Sequence, residues 1–377
     1  MVVRVGVDGR VLTDRYHGIG RVAFELVRAM AGIDGVEVVV FAGGEPSRRF
    51  DLGGLPGVRV VPVRLGAVDV RQLWRWRRIV KRAGVDVMFF PYHLGAAPLP
   101  GVPAIALVHD CIFESDTRFA PSRAVAVAYR AMTALVARTL TVATVSAASA
   151  REVERFYGRR VQAGHIIANG VDPALRGDPA GTGRLRAEFG LRPGYVLHVG
   201  AQRPHKNAAV LVEAIAAVPD ARLVLVGSAD ERFADEVGPA IARFGVTDRV
   251  TRLPFVPEEL LGSLYADAGL LAYPSLVEGF GLPVLEAMVA GTAVVAADVP
   301  VLREVGGGAA LYVEPRCGQA WAAAIERLLT DADLRDGLVA AGAVHAARFT
   351  WGAAAERLVA ACRAVAGSRQ EPVLTER

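Results

Sequence analysis

The sequence predicts an α/β protein made of two doubly wound, Rossmann-like parallel-sheet domains. Short apolar runs rich in Val, Leu and Ile alternate with helical patterns along nearly the whole chain, as parallel sheets covered on both faces require. The length of 377 residues exceeds one ordinary core and fits two domains. One Pro- and Gly-rich run, "DPALRGDPAGTG", interrupts the alternation near residue 178 and reads as a linker.

In the first half, strands are expected at Val2–Val7, Val36–Phe41, Val58–Val63, Val85–Phe89, Ala104–Leu107, Thr141–Val145 and His165–Ile167. Helical patterns fall at Gly20–Ala31, Val70–Arg82, Ser122–Ala137 and Ala147–Tyr157. In the second half, strands are expected at Tyr195–Val199, Arg222–Val226, Val250–Leu253, Gly269–Ala272 and Ala293–Ala296. Helices fill the gaps at Ala208–Ala217, Ala234–Phe244, Glu258–Ala266, Pro283–Ala290 and Ala320–Thr330.

Composition is 53% hydrophobic and 22% charged, that of a packed globular chain. Residues 1–175 carry 23 Lys plus Arg against 15 Asp plus Glu, and the remainder 20 against 24. A basic first half suits an anionic ligand, an acidic acceptor or a membrane surface, and a solvated arginine-rich face is the plainer alternative. Cys111, Cys317 and Cys362 lack metal spacing and point to a reducing compartment. "MVVRVGVDGR" reads as a strand and turn with no signal-peptide core, and no transmembrane span is evident, so a cytoplasmic location is expected.

Ligands of doubly wound sheets bind beyond the C-terminal strand edges, so the loops that follow strands carry the chemistry. After Tyr195–Val199 come Gly200 and "AQRPHKN", with Arg203 and Lys206. Lys206 is one of only two lysines beside 41 arginines. A compact ammonium at a strand-to-helix turn suggests a specific contact, against the alternative of a solvated loop lysine.

The stretch "YPSLVEGFGLPVLEAM", Tyr273–Met288, places Glu278 and Glu286 on either side of a glycine turn. Leu282 and Pro283 open a helix, with proline where its missing N–H is harmless. Free amides there form an anion site, and glycines allow close approach. Glu286 lies one turn deeper on the face of Leu282, where a carboxylate suits neighbouring hydroxyls rather than phosphate. Amides for phosphate and acids for polyols at either end is therefore the expected division. The alternative is that Glu286 merely favours the helix start by its charge.

"EGFGLPVLEA" resembles the signature of the retaining family-four glycosyltransferases, which have the GT-B fold: two Rossmann-like domains facing a central cleft. "VGAQRPHKN" resembles the phosphate-clamping loop of the same family. "HGIGR", "LVHD", "TVSAAS", "IANGVD" and "LPFVPEELLGSLYADAGLLAYPS" follow in the family's order, with the mannosyltransferase-like branch most similar. "FTWGAAAERLVAACRAV" resembles the final helix that crosses back to the N-terminal domain. The resemblance implies an acceptor-binding domain over 1–178, joined by helix 350–366, and a nucleotide-sugar domain over 185–345.

It also implies residue roles. Arg203 and Lys206 would neutralise the donor diphosphate, with Gly200 and Gly279 in the binding turns. Phe280, Gly281 and Leu282 would offer amides. Glu286 would hold the ribose and Glu278 the transferred sugar, while Val256 and Leu260 would flank the base. Gly18 and Gly20 would let their loop approach phosphate and acceptor, and His109 would touch the sugar. Tyr16–Arg21, Tyr92 and His93 would face the acceptor. His205 stands where many relatives have arginine, which leaves open whether Arg203 or His205 completes the clamp.

The activity implied is metal-independent, retaining transfer of a mannose- or glucose-like sugar from a nucleoside diphosphate to an acceptor hydroxyl, with no cofactor beyond the nucleotide sugar. The acceptor would be a glycan, a lipid-linked sugar or a natural-product core. A nucleotide-sugar 2-epimerase of the same fold, or a binding-only nucleotide-sugar protein, is the alternative.

Other patterns carry less. A lone histidine such as His109 at a strand end is commonly a packing residue. "RQLWRWRRIVKR" could rest on a membrane surface, but one indole is expected to pack inward. Asp331 and Asp333 mimic a metal pair but fall at an expected helix start. "HGIGR" lacks the dinucleotide glycine spacing, and no nucleic-acid partner is expected.

Overall fold

In a computed structural model, residues 2–13, 18–43, 47, 49–65, 72–96 and 101–367 are described. The chain divides into two compact units. The first comprises Met1–Glu114, Ala124–Gly170 and Trp351–Arg377, and the second Ser115–Arg123 and Val171–Thr350.

The first unit holds β1 (Val3–Asp8), β2 (Val36–Ala42), β3 (Val58–Pro62), β4 (Val87–Phe90), β5 (Ala104–Val108) and β6 (Thr141–Thr144). They form one parallel sheet in the order β3-β2-β1-β4-β5-β6. β4 and β5 are buried along their whole length, which explains their unbroken apolar runs, while edge strand β3 is mostly exposed. Register pairs Val5 with Val38 on one side and Val87 on the other.

Helix Trp351–Gly367 belongs to this unit and packs on helix Gly18–Ala31 and on β4 and β5. Its buried Trp351, Ala354, Ala355, Leu358, Val359 and Cys362 recur at helical spacing. In helix Gln72–Ala83, Trp76 is fully buried against Phe41 and Phe90, with the Arg10 guanidinium 4.4 Å above its ring. One indole of the basic aromatic helix thus belongs to the core.

The second unit holds β7 (Tyr195–Val199), β8 (Leu223–Val226), β9 (Val250–Leu253), β10 (Ala268–Tyr273), β11 (Val294–Ala297) and β12 (Leu311–Val313), ordered β12-β11-β10-β7-β8-β9 and all parallel. Counted from its own first strand, each sheet has the doubly wound order 3-2-1-4-5-6. The chain reverses direction across the sheet between β1 and β4 in one unit and between β7 and β10 in the other.

Several expectations need correction. His165–Ile167 is not a strand: Ala163–His165 is a turn of 3-10 helix, and Ile166 makes only an isolated bridge with Thr144. The supposed linker contains the start of helix Pro179–Phe189. Asp178 caps it by accepting from Gly181 N over 2.8 Å, with Pro179 in the first turn. Strand β12 and helix Pro300–Gly306 were not expected, both being too short to show periodicity. Asp331 caps helix Ala332–Ala346 by accepting from Leu334 N over 3.0 Å. No described helix is long and apolar enough to cross a membrane.

Candidate functional site

The switch point of the second sheet is where its polar residues gather. Strand β7 ends at Val199, and the following loop carries Arg203, His205 and Lys206. Strand β10 ends at Tyr273, and its loop carries Glu278 and leads into helix Leu282–Ala290. Asn207 fastens the two loops. It adopts a left-handed conformation (φ 54°), and its amide Nδ2 donates to Pro274 O at 3.2 Å and Pro315 O at 2.7 Å. Leu276 N also donates to His205 O over 2.8 Å.

Lys206 Nζ lies 2.5 Å from Glu278 Oε1 and donates to Tyr273 OH at 3.1 Å, while that hydroxyl donates to the same Oε1 at 2.8 Å. The side chains of Lys206 and Glu278 are only 15% and 9% exposed. Burial works against each charge, and the partner's opposite charge outweighs it. Lys206 is therefore held above its ordinary value and Glu278 below its own. The pair is ionised at neutral pH.

His198, on β7, is 2% exposed and donates from Nδ1 to Ala272 O over 3.2 Å, and its Nε2 is buried without a partner among the described residues. Burial lowers it to about 4, so it is neutral. His205 is likewise buried, stacks edge-on against Phe119 at 5.8 Å, and is lowered to about 4 by burial and then by the Lys206 charge. A neutral His205 does not supply a cation.

Arg203 does carry charge to the edge of this site. Its Nε donates to Asp230 Oδ2 over 2.9 Å, and its side chain is 38% exposed. Asp230 is lowered to about 2, first by its hydrogen bond from Arg232.

At the helix start, Gly281 has φ 102°, and a Cβ there would stand 2.8 Å from Leu302 Cδ2. That conformation favours glycine on both counts. The amides of Phe280, Gly281 and Leu282 donate no hydrogen bond among the described residues. Unsatisfied consecutive N–H groups at the positive end of a helix dipole form a ready anion cradle. Gly279 and Phe280 are buried, the latter with its ring 6.0 Å from Phe349. Glu286, 4% exposed, accepts from Tyr265 OH over 2.7 Å. Gly200 follows β7, with its would-be Cβ position 3.6 Å from Lys206 Cδ. Val256 and Leu260 are both buried, Leu260 closing the turn Glu258–Leu260.

In the first unit, His109 follows β5. Its Nε2 donates to Pro91 O over 2.7 Å, and burial lowers it to about 4, so the ring is neutral. His93 is buried against Thr133 Oγ1 at 3.0 Å and lowered to about 3 by burial, so it is a core histidine. Tyr92 precedes the turn His93–Gly95. Gly18 opens helix Gly18–Ala31, with free space where a Cβ would be, and Gly20 is buried in its first turn. Tyr16 and His17 lie outside the described residues.

The structure thus joins Lys206 with Glu278 and sets Arg203 on Asp230. Tyr273, Asn207, His198 and Asp230 were missed by sequence reasoning. Tyr273 stood in the quoted stretch as a strand-end aromatic, and nothing in spacing distinguishes such a residue from core.

Residues 184–344 match the family model described as Glycosyl transferases group 1, and residues 16–175 match that described as Glycosyltransferase Family 4. Among curated relatives, the D-inositol 3-phosphate glycosyltransferase of Segniliparus rotundus is 34% identical over 61% of this chain and 53% of its own length. The O-antigen chain mannosyltransferase B of Escherichia coli is 38% identical over 42% of each. The matched part thus spans about half the length of these relatives. In Xylanimonas cellulosilytica, a D-inositol 3-phosphate glycosyltransferase aligns over 91% of this chain and 90% of its own, at 29% identity. The fold resembles that of sucrose-phosphate synthase from Thermosynechococcus elongatus, with TM-score 0.79 and 22% identity over 97% of this chain and 100% of that one. It also resembles Anabaena HepE in complex with UDP-glucose, with TM-score 0.74 and 20% identity over the same shares, 97% and 100%.

Proposed function

The chain belongs to the family-four glycosyltransferases, and from that premise we propose that it transfers a hexose from a nucleoside diphosphate to an acceptor hydroxyl, with retention and without a metal ion. The observation that carries this reading is the Lys206–Glu278 pair beside the free amides of Phe280, Gly281 and Leu282. An ammonium and a helix start converge on the switch point of the sheet, where doubly wound folds take their ligands.

The chemical problem is departure of a diphosphate from the anomeric carbon. Negative charge grows on the leaving oxygen, where the helix amides and the Lys206 ammonium meet it. Each such preorganised donor is typically worth about 3 kcal/mol in the transition state. Arg203 would add a second cation by exchanging Asp230 for phosphate. Lys206 is already ordered by Glu278 and Tyr273, so binding spends little side-chain entropy on it. Once Lys206 shares its ammonium with phosphate, Glu278 can accept from sugar hydroxyls, and Glu286 would accept from the ribose.

The neutral, mostly buried histidines argue for contact rather than proton abstraction. Retention then follows the family's usual proposal, in which the leaving phosphate takes the acceptor proton on the same face. Relatives named for O-antigen mannosyl transfer and for D-inositol 3-phosphate support a mannose- or glucose-like donor and a polyol or glycan acceptor. A nucleotide-sugar donor, with Cys111, Cys317 and Cys362 outside any disulfide among the described residues, supports a cytoplasmic reaction.

A panel of UDP-, GDP- and dTDP-sugars tests the reading by thermal stabilisation and then by turnover with acceptors. The cognate donor raises the melting temperature, because it binds only the folded state. If no nucleotide sugar stabilises the protein or is consumed, the reading is wrong.

A further inference from the structure

At the edge of the first sheet opposite the strand C-termini lies a hollow of about 320 Å³ whose lining includes none of the residues assigned above to donor or acceptor. Thr141, the first residue of β6, forms part of its wall with Arg159, Arg160, Gln162 and His165, and Ala364 of helix Trp351–Gly367 closes one side. All of these residues belong to the first unit. Gly158, at φ 63°, ends helix Ala147–Tyr157 and directs the next residues off its axis. Both arginines therefore lie beyond the helix cap.

Among the described residues the lining contains no carboxylate. Arg159 and Arg160 are exposed, and neither is hydrogen-bonded or ion-paired to any described residue. Arg4, Arg10 and Arg28 of the same unit are each held by an acid. Helix Trp351–Gly367 brings another cation to the same side: Arg357, seven positions before Ala364 and so on its face, donates to Ile166 O over 3.3 Å. Two unpaired guanidiniums, a hydroxyl, a carboxamide and an imidazole in one concavity are all able to donate.

We propose that this hollow binds a phosphoryl group carried as a dianionic monoester. Guanidinium forks match phosphate oxygens in pairs, and two of them balance two charges, whereas a carboxylate leaves one cation uncompensated. Thr141 and Gln162 then satisfy the remaining oxygens. A soluble phosphate ester and a phospholipid headgroup share this chemistry. The site is independent of the proposed transfer reaction, and stands if that reading fails.

The test uses the full chain, titrated with glycerol 3-phosphate against chloride of equal ionic strength and followed by calorimetry and melting temperature. A parallel arm measures flotation with phosphatidylcholine vesicles with and without phosphatidic acid. Three proteins are compared: the wild type, Lys206→Ala and Arg159→Gln/Arg160→Gln. The double variant alters exposed side chains only, so its unliganded melting temperature should match wild type.

Wild type and Lys206→Ala should respond alike in at least one arm, and the double variant should weaken by at least about tenfold, the weight of one charge-assisted hydrogen bond. Response to glycerol 3-phosphate identifies a soluble ester, and response to phosphatidic acid alone identifies a headgroup. Equal binding by wild type and the double variant, or no response in either arm, overturns the proposal.

Discussion

Lys206 and Glu278 come from loops after different strands, β7 and β10, yet their charged atoms meet at 2.5 Å inside the second unit, with Tyr273 bonded to both. The lysine proposed to meet phosphate is therefore already neutralised by the acid proposed to hold the sugar. Removing either partner strands the other charge.

Lys206→Ala should lower transfer by about 10²–10³, as loss of one preorganised donor does. It should also destabilise the fold by about 3–5 kcal/mol, because a buried carboxylate loses its partner. Lys206→Ala/Glu278→Gln should recover most of that stability in urea melts and none of the activity. A double variant no more stable than the single would show that Glu278 is not stranded.

Tyr273→Phe removes hydrogen bonds to both members of the pair while keeping the ring. A cost of about 1 kcal/mol per bond is expected, appearing mainly as a higher KM for the donor, since the clamp is then less ordered. Steady-state kinetics decides: an unchanged donor KM contradicts the positioning role.

Gly281→Ala combines strain at φ 102° with a Cβ 2.8 Å from Leu302 Cδ2. A loss of about 1–3 kcal/mol is expected, together with weaker nucleotide binding as the helix-start amides shift. Thermal melts and calorimetric titration check both; full stability in this variant would mean the turn has room that its geometry denies.

Stability should also fall with rising pH through a half-buried acid of the first unit. Glu152 is raised from 4.5 to about 7 by burial and then by the charges of Asp110 and Glu114. Its protonated form is favoured on folding, so that stabilisation is complete below pH 4.5 and lost as pH rises through about 7. The Lys206–Glu278 pair adds no slope there. Glu278 contributes above its ordinary 4.5 and loses this only as pH falls, while Lys206 contributes below its ordinary 10.5 and loses this only at higher pH. Glu152→Gln should flatten the slope of melting temperature between pH 4.5 and 7. An unaltered slope would place the titration elsewhere.

Strand–helix alternation was legible because each buried strand is an apolar run and each covering helix shows its stripe. Helix Leu282–Ala290 was legible from glycines and a proline at fixed offsets. Helix Pro179–Phe189 was not, since Pro179, Gly181 and Gly183 mimic a linker. Gly181 is in fact the tight contact with Ser263, its would-be Cβ lying 2.2 Å from that hydroxyl. Lys206 and Glu278 were each singled out, but their pairing was not, because it depends on β7 lying beside β10 across the switch point. Arg203 shows the same limit: the loop order suggested phosphate, and only the fold brings Asp230 to it.

The most direct measurement is a crystal structure with the stabilising nucleoside diphosphate bound. The account predicts phosphate oxygens at about 3 Å from Lys206 Nζ and from the amides of Gly281 or Leu282, with the ribose hydroxyls on Glu286. A diphosphate seated elsewhere, with the Lys206–Glu278 contact undisturbed, would contradict it.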